Sequence, residues 1–293
     1  MFSIETEDLR LELEVVPVES LFIHERILPS VAKQLVLEFK NLANLENPVI
    51  VDKNGIVLDG NHRTYAFKEL DFKYIPVCRI DYFHRDMQLR YWFRLLGNVE
   101  DRDWIREVVE DLGGSLEEVT DREGLERILE KDCYRCGVQQ GSFFATIRFN
   151  EDMITDAVSA YDMLEKIQDR ITKRGVVLEY IPCQHAYDNK FCEALQDHDV
   201  VIWTPQITKE MVVEAAKQKR VFAPKSTRHL IPARPLNVNI PITWFKENIT
   251  LEEINRRFTR FLQGKGMRRL GPGQVIDGRF YEEELFVFFD KRH

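Results

Sequence analysis

The chain has 293 residues, 44% hydrophobic and 31% charged, with 14 glycines and 11 prolines, the make-up of a folded protein with room for two ordinary domains and none for long disorder. A formal net charge of -8 argues against a general electrostatic grip on nucleic acid or on an anionic membrane, since either needs a basic surface, although a local basic pocket stays open. No apolar run approaches the roughly 20 residues that span a bilayer, the opening MFSIETEDLRLELE is acidic where a signal peptide is positive, and the 5 cysteines are an odd number, so a cytoplasmic protein with reduced thiols is expected.

Residues 11–18 (LELEVVPV) alternate and then turn apolar, which predicts an entry strand ending near Pro17. A helix follows from Pro29 and Ser30, with Val31, Leu35 and Phe39 as its core-facing stripe. Pro48–Asp52 and Ile56–Leu58, joined by Lys53, Asn54 and Gly55, read as a hairpin. Asp59 or Asn61 then caps a helix running through Tyr65, Ala66, Phe67 and Leu70, and residues 75–82 read as a further strand.

Between residues 100 and 132 the composition shifts to 13 acidic and 5 basic residues, which reads as a solvated helical connector. Strand and helix patterns then alternate: SFFATIRF, a helix over 153–173, VVLEYIP, DVVIWT, a helix over 208–218, and RVFAPKSTRHLIPARP as a strand with basic interruptions. One helix and a closing hairpin end the chain. The expectation is an α/β (α+β) fold in three blocks: an amino-terminal domain over 1–98, the connector over 99–135, and a second α/β domain with a carboxy-terminal extension over 136–293.

Three stretches carry candidate chemistry. VLDGNHR brings Asp59, Gly60, Asn61, His62 and Arg63 together where a strand ends and a helix begins, and the positive end of a helix favours an anion. Gly60 permits close backbone approach, His62 and Arg63 supply donors, and Asp59 can hold a hard cation such as Mg²⁺ that bridges phosphate oxygens. The same residues also fit a turn in which Asp59 caps the helix and Arg63 pairs with a surface carboxylate. PKSTRH with the later IPARP gathers Lys225, Thr227, Arg228, His229 and Arg234, either an anion site or a charge-protected edge strand. In FIHERI, Glu25 is either a carboxylate that orients a substrate hydroxyl and takes its proton, or a solvent-facing residue ahead of a helix.

Cys133-Tyr134-Arg135-Cys136, with Cys183, His185 and Cys192 later, lacks a second close pair, so a structural zinc is discounted. His84 and His198 read as solvent-facing. The GPG at 271–273 lacks the Lys and Ser/Thr of a P-loop and reads as a turn.

Taken in order, the HE pair, then PVIVDKNGIVLDGNHRTYAFKELDFKYIPVCRIDY, then FAPKSTRHLIPARP resemble the free serine kinase family, whose amino-terminal domain belongs to the ParB and sulfiredoxin superfamily. The matched blocks cover about residues 15–95 and 220–241; the middle and the last fifty residues match only loosely. The resemblance implies a nucleotide-dependent kinase that uses ATP or ADP with Mg²⁺ to convert L-serine into O-phospho-L-serine. It implies Glu25, Asp59 and His62 as catalytic, with Asp59 at the metal, and Gly60, Asn61, His62 and Arg63 at the nucleotide. Trp92, Lys225, Thr227, Arg228 and His229 fall at the amino acid. Asn61 departs from the family's DGHHR pattern by replacing its first histidine with a neutral amide that still donates through its NH₂. A ParB-like nucleotide-binding regulator without kinase activity, and a kinase for another small hydroxylated metabolite, are the alternatives.

Overall fold

The computed structural model describes residues 1–6, 8–97, 99, 101–183 and 199–291. The fold is mixed α/β, and the chain divides into two compact units: Met1–Gln88 with His229–His293, and Leu89–Arg228. This division differs from the three consecutive blocks expected from sequence, because the first unit is built from both ends of the chain.

The first unit holds a five-stranded sheet in the order Phe2–Glu5, Arg10–Pro17, Tyr74–Arg79, Val49–Val51, Val57–Asp59. All neighbours are antiparallel except Val49–Val51 beside Tyr74–Arg79. Val49–Val51 and Tyr74–Arg79 are buried on both faces, with Val49, Ile50, Val51, Ile75, Val77 and Cys78 shut away from solvent, which explains their near-continuous apolar runs, whereas Arg10–Pro17 buries Leu11, Leu13 and Val15 in alternation. The expected hairpin forms, with Val49–Val51 and Val57–Asp59 as its arms.

Helices Pro29–Asn41, Asn61–Glu69 and Leu251–Gly264 belong to this unit. In the first of them Phe39 is buried and Leu35 half-buried as expected, but Val31 is exposed and Ala32 takes its place in the core. Phe67 ties Asn61–Glu69 into the core through ring contacts to Phe39 at 5.7 Å and Phe72 at 4.8 Å. Helix Leu251–Gly264 buries Ile254, Phe258 and Leu262 at four-residue spacing, and its Asn255 side chain accepts from Val15 N (2.9 Å) and donates to Val15 O (2.7 Å). A second, three-stranded sheet has Glu284–Asp290 at its centre, parallel to Ala233–Leu236 and antiparallel to Lys265–Leu270. The closing hairpin forms as Gln274–Ile276 against Arg279–Tyr281, and the expected long strand over 220–235 is two short ones, Arg228–Leu230 and Ala233–Leu236.

The second unit is a six-stranded sheet in the order Val177–Pro182, Trp92–Gly97, Val200–Trp203, Cys136–Gln140, Phe143–Phe149, Gly114–Val119, antiparallel throughout. Gly114–Val119 lies inside the stretch expected as a solvated connector, so 99–135 is sheet and helix of this unit rather than a linker. Its acidic residues are legible as the outer faces of two amphipathic helices, Asp103–Asp111 and Arg122–Lys131, which bury Ile105, Val108, Val109, Leu125 and Leu129. Helix Ala157–Thr172 begins with a reciprocal cap between Asp156 and Ser159. Cys78, Cys133, Cys136 and Cys183 are free thiols, and His185, Cys192 and His198 lie outside the described residues. Among the described residues no helix is long and apolar enough to cross a membrane.

Candidate functional site

The strand Val57–Asp59 delivers Asp59 directly to the helix Asn61–Glu69, and the link is Gly60 at φ +104°. A Cβ there would stand 3.0 Å from Arg63 Nη2 and 3.1 Å from Val49 Cγ2, so both the backbone and the neighbours call for glycine. Gly60, not Asp59 or Asn61, occupies the capping position, and no side chain caps the helix. Asp59 is thereby released for other partners, and the first turn, which contains no acidic residue, keeps its attraction for an anion.

Asp59 is met by two guanidinium groups. Arg63 Nη2 donates to its Oδ2 at 3.3 Å, and Arg234 Nη1 donates to the same oxygen at 2.9 Å. Burial by itself raises the Asp59 pKa, but the charges of Arg63, Arg234 and Arg279 outweigh it and hold the carboxyl below the usual aspartate range. Burial likewise lowers the Arg63 pKa against the pull of Asp59, while for Arg234 the two carboxylates Asp59 and Glu283 overcome burial and raise it. Arg63 is committed further, donating through Nη1 to the carbonyls of Asn47 at 2.7 Å and Pro48 at 3.0 Å. It thereby fixes the loop ahead of the hairpin.

Oδ1 of Asp59 accepts no hydrogen bond from the described residues, and the side chain keeps 37% of its surface exposed. One free carboxylate oxygen suits Mg²⁺, which keeps its waters and binds with substrate phosphates, better than it suits a cation needing a full protein cage. Among the described residues no group of three or more His, Cys, Asp or Glu side chains forms such a cage. Asn61 buries its Oδ1 without a hydrogen-bond partner, an acceptor that a ligand hydroxyl or amine would satisfy. His62 is half-buried in the first turn.

Beside this cluster runs the segment that carries Glu25. Phe22 exchanges backbone hydrogen bonds with the hairpin, donating to Gly55 O and accepting from Val57 N, each at 2.9 Å. His24 is fully buried; burial lowers its pKa against the raising effects of Glu25 and of a hydrogen bond to the Val57 backbone. Its ring meets His229 edge-on at 5.1 Å, and His229 Nε2 lies 2.8 Å from the Tyr82 hydroxyl. Glu25 is half-buried next to His24. The structure thus brings Glu25, Asp59 to Arg63, His229 and Arg234 into one unit, linked through Val57 and its neighbours.

Trp92, Lys225, Thr227 and Arg228 lie in the second unit and form a cluster of their own. Trp92 Nε1 donates to Thr227 O at 3.0 Å, while Lys225 Nζ and Arg228 Cζ lie 4.8 Å and 5.8 Å from the indole ring centre. The loop owes its shape to buried groups: Tyr161 OH donates to Ser226 O at 3.3 Å, and Arg94, wholly buried, donates to Gln168 Oε1 at 2.5 Å and Trp92 O at 2.8 Å. Lys225 sits at φ +61°, a turn that presents its ammonium to the indole. Sequence reading missed Arg94, Tyr82 and Glu283. Arg94 and Tyr82 stand in apolar strand patterns and Glu283 in a run of three glutamates, so none of them advertises a partner.

No protein-family model matches the chain. An ATP-dependent L-serine kinase of Staphylothermus marinus is 27% identical over 247 residues, covering 80% of this chain and 92% of that protein. An ADP-dependent L-serine kinase of Thermococcus kodakarensis is 26% identical over 187 residues, covering 64% and 72%. A ParB-like protein of Sulfolobus acidocaldarius is 27% identical over 221 residues, covering 75% and 90%. Among solved structures, a free serine kinase in complex with AMP matches with a TM-score of 0.62 at 20% identity, covering 79% of this chain and 92% of that one. SbnI with C-terminal truncation from Staphylococcus aureus matches with a TM-score of 0.65 at 18% identity, covering 86% and 95%. The two structures share the fold, and together with the curated relatives they bear out the resemblance to the free serine kinases and their ParB-like relatives.

Proposed function

We propose that this chain, a relative of the free serine kinases, is a phosphotransferase that moves a phosphoryl group from ATP or ADP to the hydroxyl of L-serine, giving O-phospho-L-serine. The observation that carries the reading is the ionised Asp59, braced by Arg63 and Arg234 at an uncapped helix start, with the Glu25 segment alongside.

Phosphoryl transfer asks mainly for positioning and charge neutralisation. The backbone N–H groups from Asn61 and His62 would take the nucleotide's phosphate oxygens, and Asp59 Oδ1 would hold Mg²⁺. Magnesium, when bound, supplies neutralisation of the charge on the transferring group. Glu25 orients the serine hydroxyl and accepts its proton as the new oxygen–phosphorus bond forms and the bond to the nucleotide breaks. His229, held by Tyr82 and His24, suits the carboxylate end of the amino acid. The Trp92, Lys225, Thr227 and Arg228 cluster is rich in donors and cations, which agrees with the amino-acid role the resemblance gives it.

The test is direct: incubate the protein with Mg²⁺, L-serine and either nucleotide, and assay phosphoserine by mass spectrometry. Phosphoserine with one nucleotide identifies the donor. Its absence with both nucleotides, while threonine and homoserine are also inert, refutes the kinase reading.

A further inference from the structure

Arg234 is nine-tenths buried and has carboxylates at two of its edges. Nη1 donates to Asp59, and Nε pairs with Glu283, whose own side chain is only 13% exposed. Glu283 lies outside every stretch that carries the resemblance. Its placement comes from the second sheet of the first unit, where Glu284–Asp290 runs parallel to Ala233–Leu236 and Glu284 N donates to Pro232 O at 3.0 Å. On either side of it, Tyr281 and Leu285 pack with Leu236 in a small apolar cluster. Of its two neighbours, Glu284 turns outward to pair with Arg269. Glu283 instead meets Arg234, and through it the Asp59 cluster.

We infer that Glu283 is a positioning residue for the phosphate centre: by sharing Arg234 with Asp59 it keeps the Asp59 carboxylate available to a phosphate-bound cation. This rests on the kinase reading. Asp59 and Glu283 set two negative charges against the paired Arg63 and Arg234, and Arg279 adds its positive charge to the field at Asp59. Without Glu283 the trio of Asp59, Arg63 and Arg234 carries a surplus positive charge, and Arg234, released at Nε, leans wholly on Asp59. Such a centre attracts a bare phosphate more strongly and a cation less. Buried guanidinium groups fixed at both ends are also pre-organised, since neither end has to be ordered when ligand arrives.

The inference is tested with the full chain as Glu283→Gln, which removes the charge and keeps the shape, and Glu283→Asp, which keeps the charge. ADP binding is measured by calorimetry with and without Mg²⁺ and without serine, beside steady-state kinetics and melting temperature. Glu283→Gln is expected to bind metal-free ADP as tightly as the parent or more tightly, to lose about 10-fold of the tightening that Mg²⁺ brings, and to turn over about 10- to 100-fold more slowly at unchanged serine KM. Glu283→Asp recovers most of the Mg²⁺ effect. An unchanged Mg²⁺ increment in Glu283→Gln overturns the inference. So does a parallel loss of metal-free and Mg²⁺-dependent binding with a lowered melting temperature, the mark of a merely structural glutamate. A parent chain that binds Mg²⁺ and ADP but forms no phosphoserine would defeat the kinase reading alone, and the binding arm would still decide the role of Glu283.

Discussion

Asp59 and Arg234 meet at 2.9 Å although 175 positions of sequence separate them. The pair joins the end of a hairpin strand to the first strand of the small second sheet, and its carboxylate is also met by Arg63. Asp59 is therefore both a structural counter-ion and the acidic group of the candidate site, and its removal should show both effects.

Asp59→Asn should abolish phosphoserine formation and destabilise the fold at neutral pH by leaving two guanidinium groups without their shared acceptor. The folded-state pKa of Asp59 is depressed, so its contribution is fully present above the unfolded value near 3.8 and is lost as pH falls below that value toward the folded one. Urea unfolding at pH 7 and at pH 3 is expected to show a gap between parent and variant that narrows at the acid end. A gap of constant size would contradict the assignment.

His24 is also needed deprotonated, but as a neutral ring rather than as a charge. Burial keeps it neutral in the folded chain, whereas the unfolded chain takes up the proton below 6.5. Stability should fall on acidification from about pH 6.5 with a slope approaching about 1.4 kcal/mol per pH unit for this one group, until the folded-state pKa is reached. In His24→Gln the slope between pH 6.5 and pH 5 should flatten, as chemical denaturation across that range would reveal.

Glu25→Ala should lower turnover by about 100-fold or more, the usual scale of a positioned general base, while nucleotide affinity stays near that of the parent. Isothermal calorimetry with ADP beside the kinetic assay separates the two. A variant with parental turnover removes Glu25 from the mechanism.

Gly60→Ala places a Cβ at φ +104°, against Arg63 and Val49. The strained backbone alone costs about 1–3 kcal/mol, and because the displaced neighbour is Arg63, nucleotide binding should weaken together with thermal stability. Thermal melts with and without ADP test the coupling.

Tyr82→Phe deletes the hydroxyl beside His229 Nε2 and leaves the ring packing intact. The lost hydrogen bond is worth about 1 kcal/mol, or about fivefold, and should appear in the serine KM rather than in nucleotide affinity. Steady-state titrations of each substrate against the variant provide the measurement.

The local half of this site is legible in the sequence. VLDGNHR places Asp59 to Arg63 where a strand ends and a helix begins, and Gly60 between them follows from backbone chemistry, although the pairing of Arg63 with Asp59 in place of a surface carboxylate comes from the structure. Distance along the chain defeats the rest. Arg234 reads as a donor for an anion, yet its guanidinium is taken by Asp59 and Glu283, one far upstream and the other at the entry to the final strand. The acidic stretch expected as a solvated helical connector does form helices, but Ile105, Val108, Leu125 and Leu129 bury one face of each and Gly114–Val119 joins the sheet, a packing that its acidic composition does not announce. Ala32 in place of Val31 shows the same limit at smaller scale: four-residue spacing fits neighbouring stripes equally well, and packing chooses between them.

The first unit is closed by residues synthesised after the whole of Leu89–Arg228. A ribosome therefore releases Asp59 and Arg63 long before the arginine that completes their cluster, and Glu283 emerges later still. A nascent chain that has not yet reached that glutamate holds an unfinished Asp59 cluster, which is completed only when Glu284–Asp290 takes its place beside Ala233–Leu236.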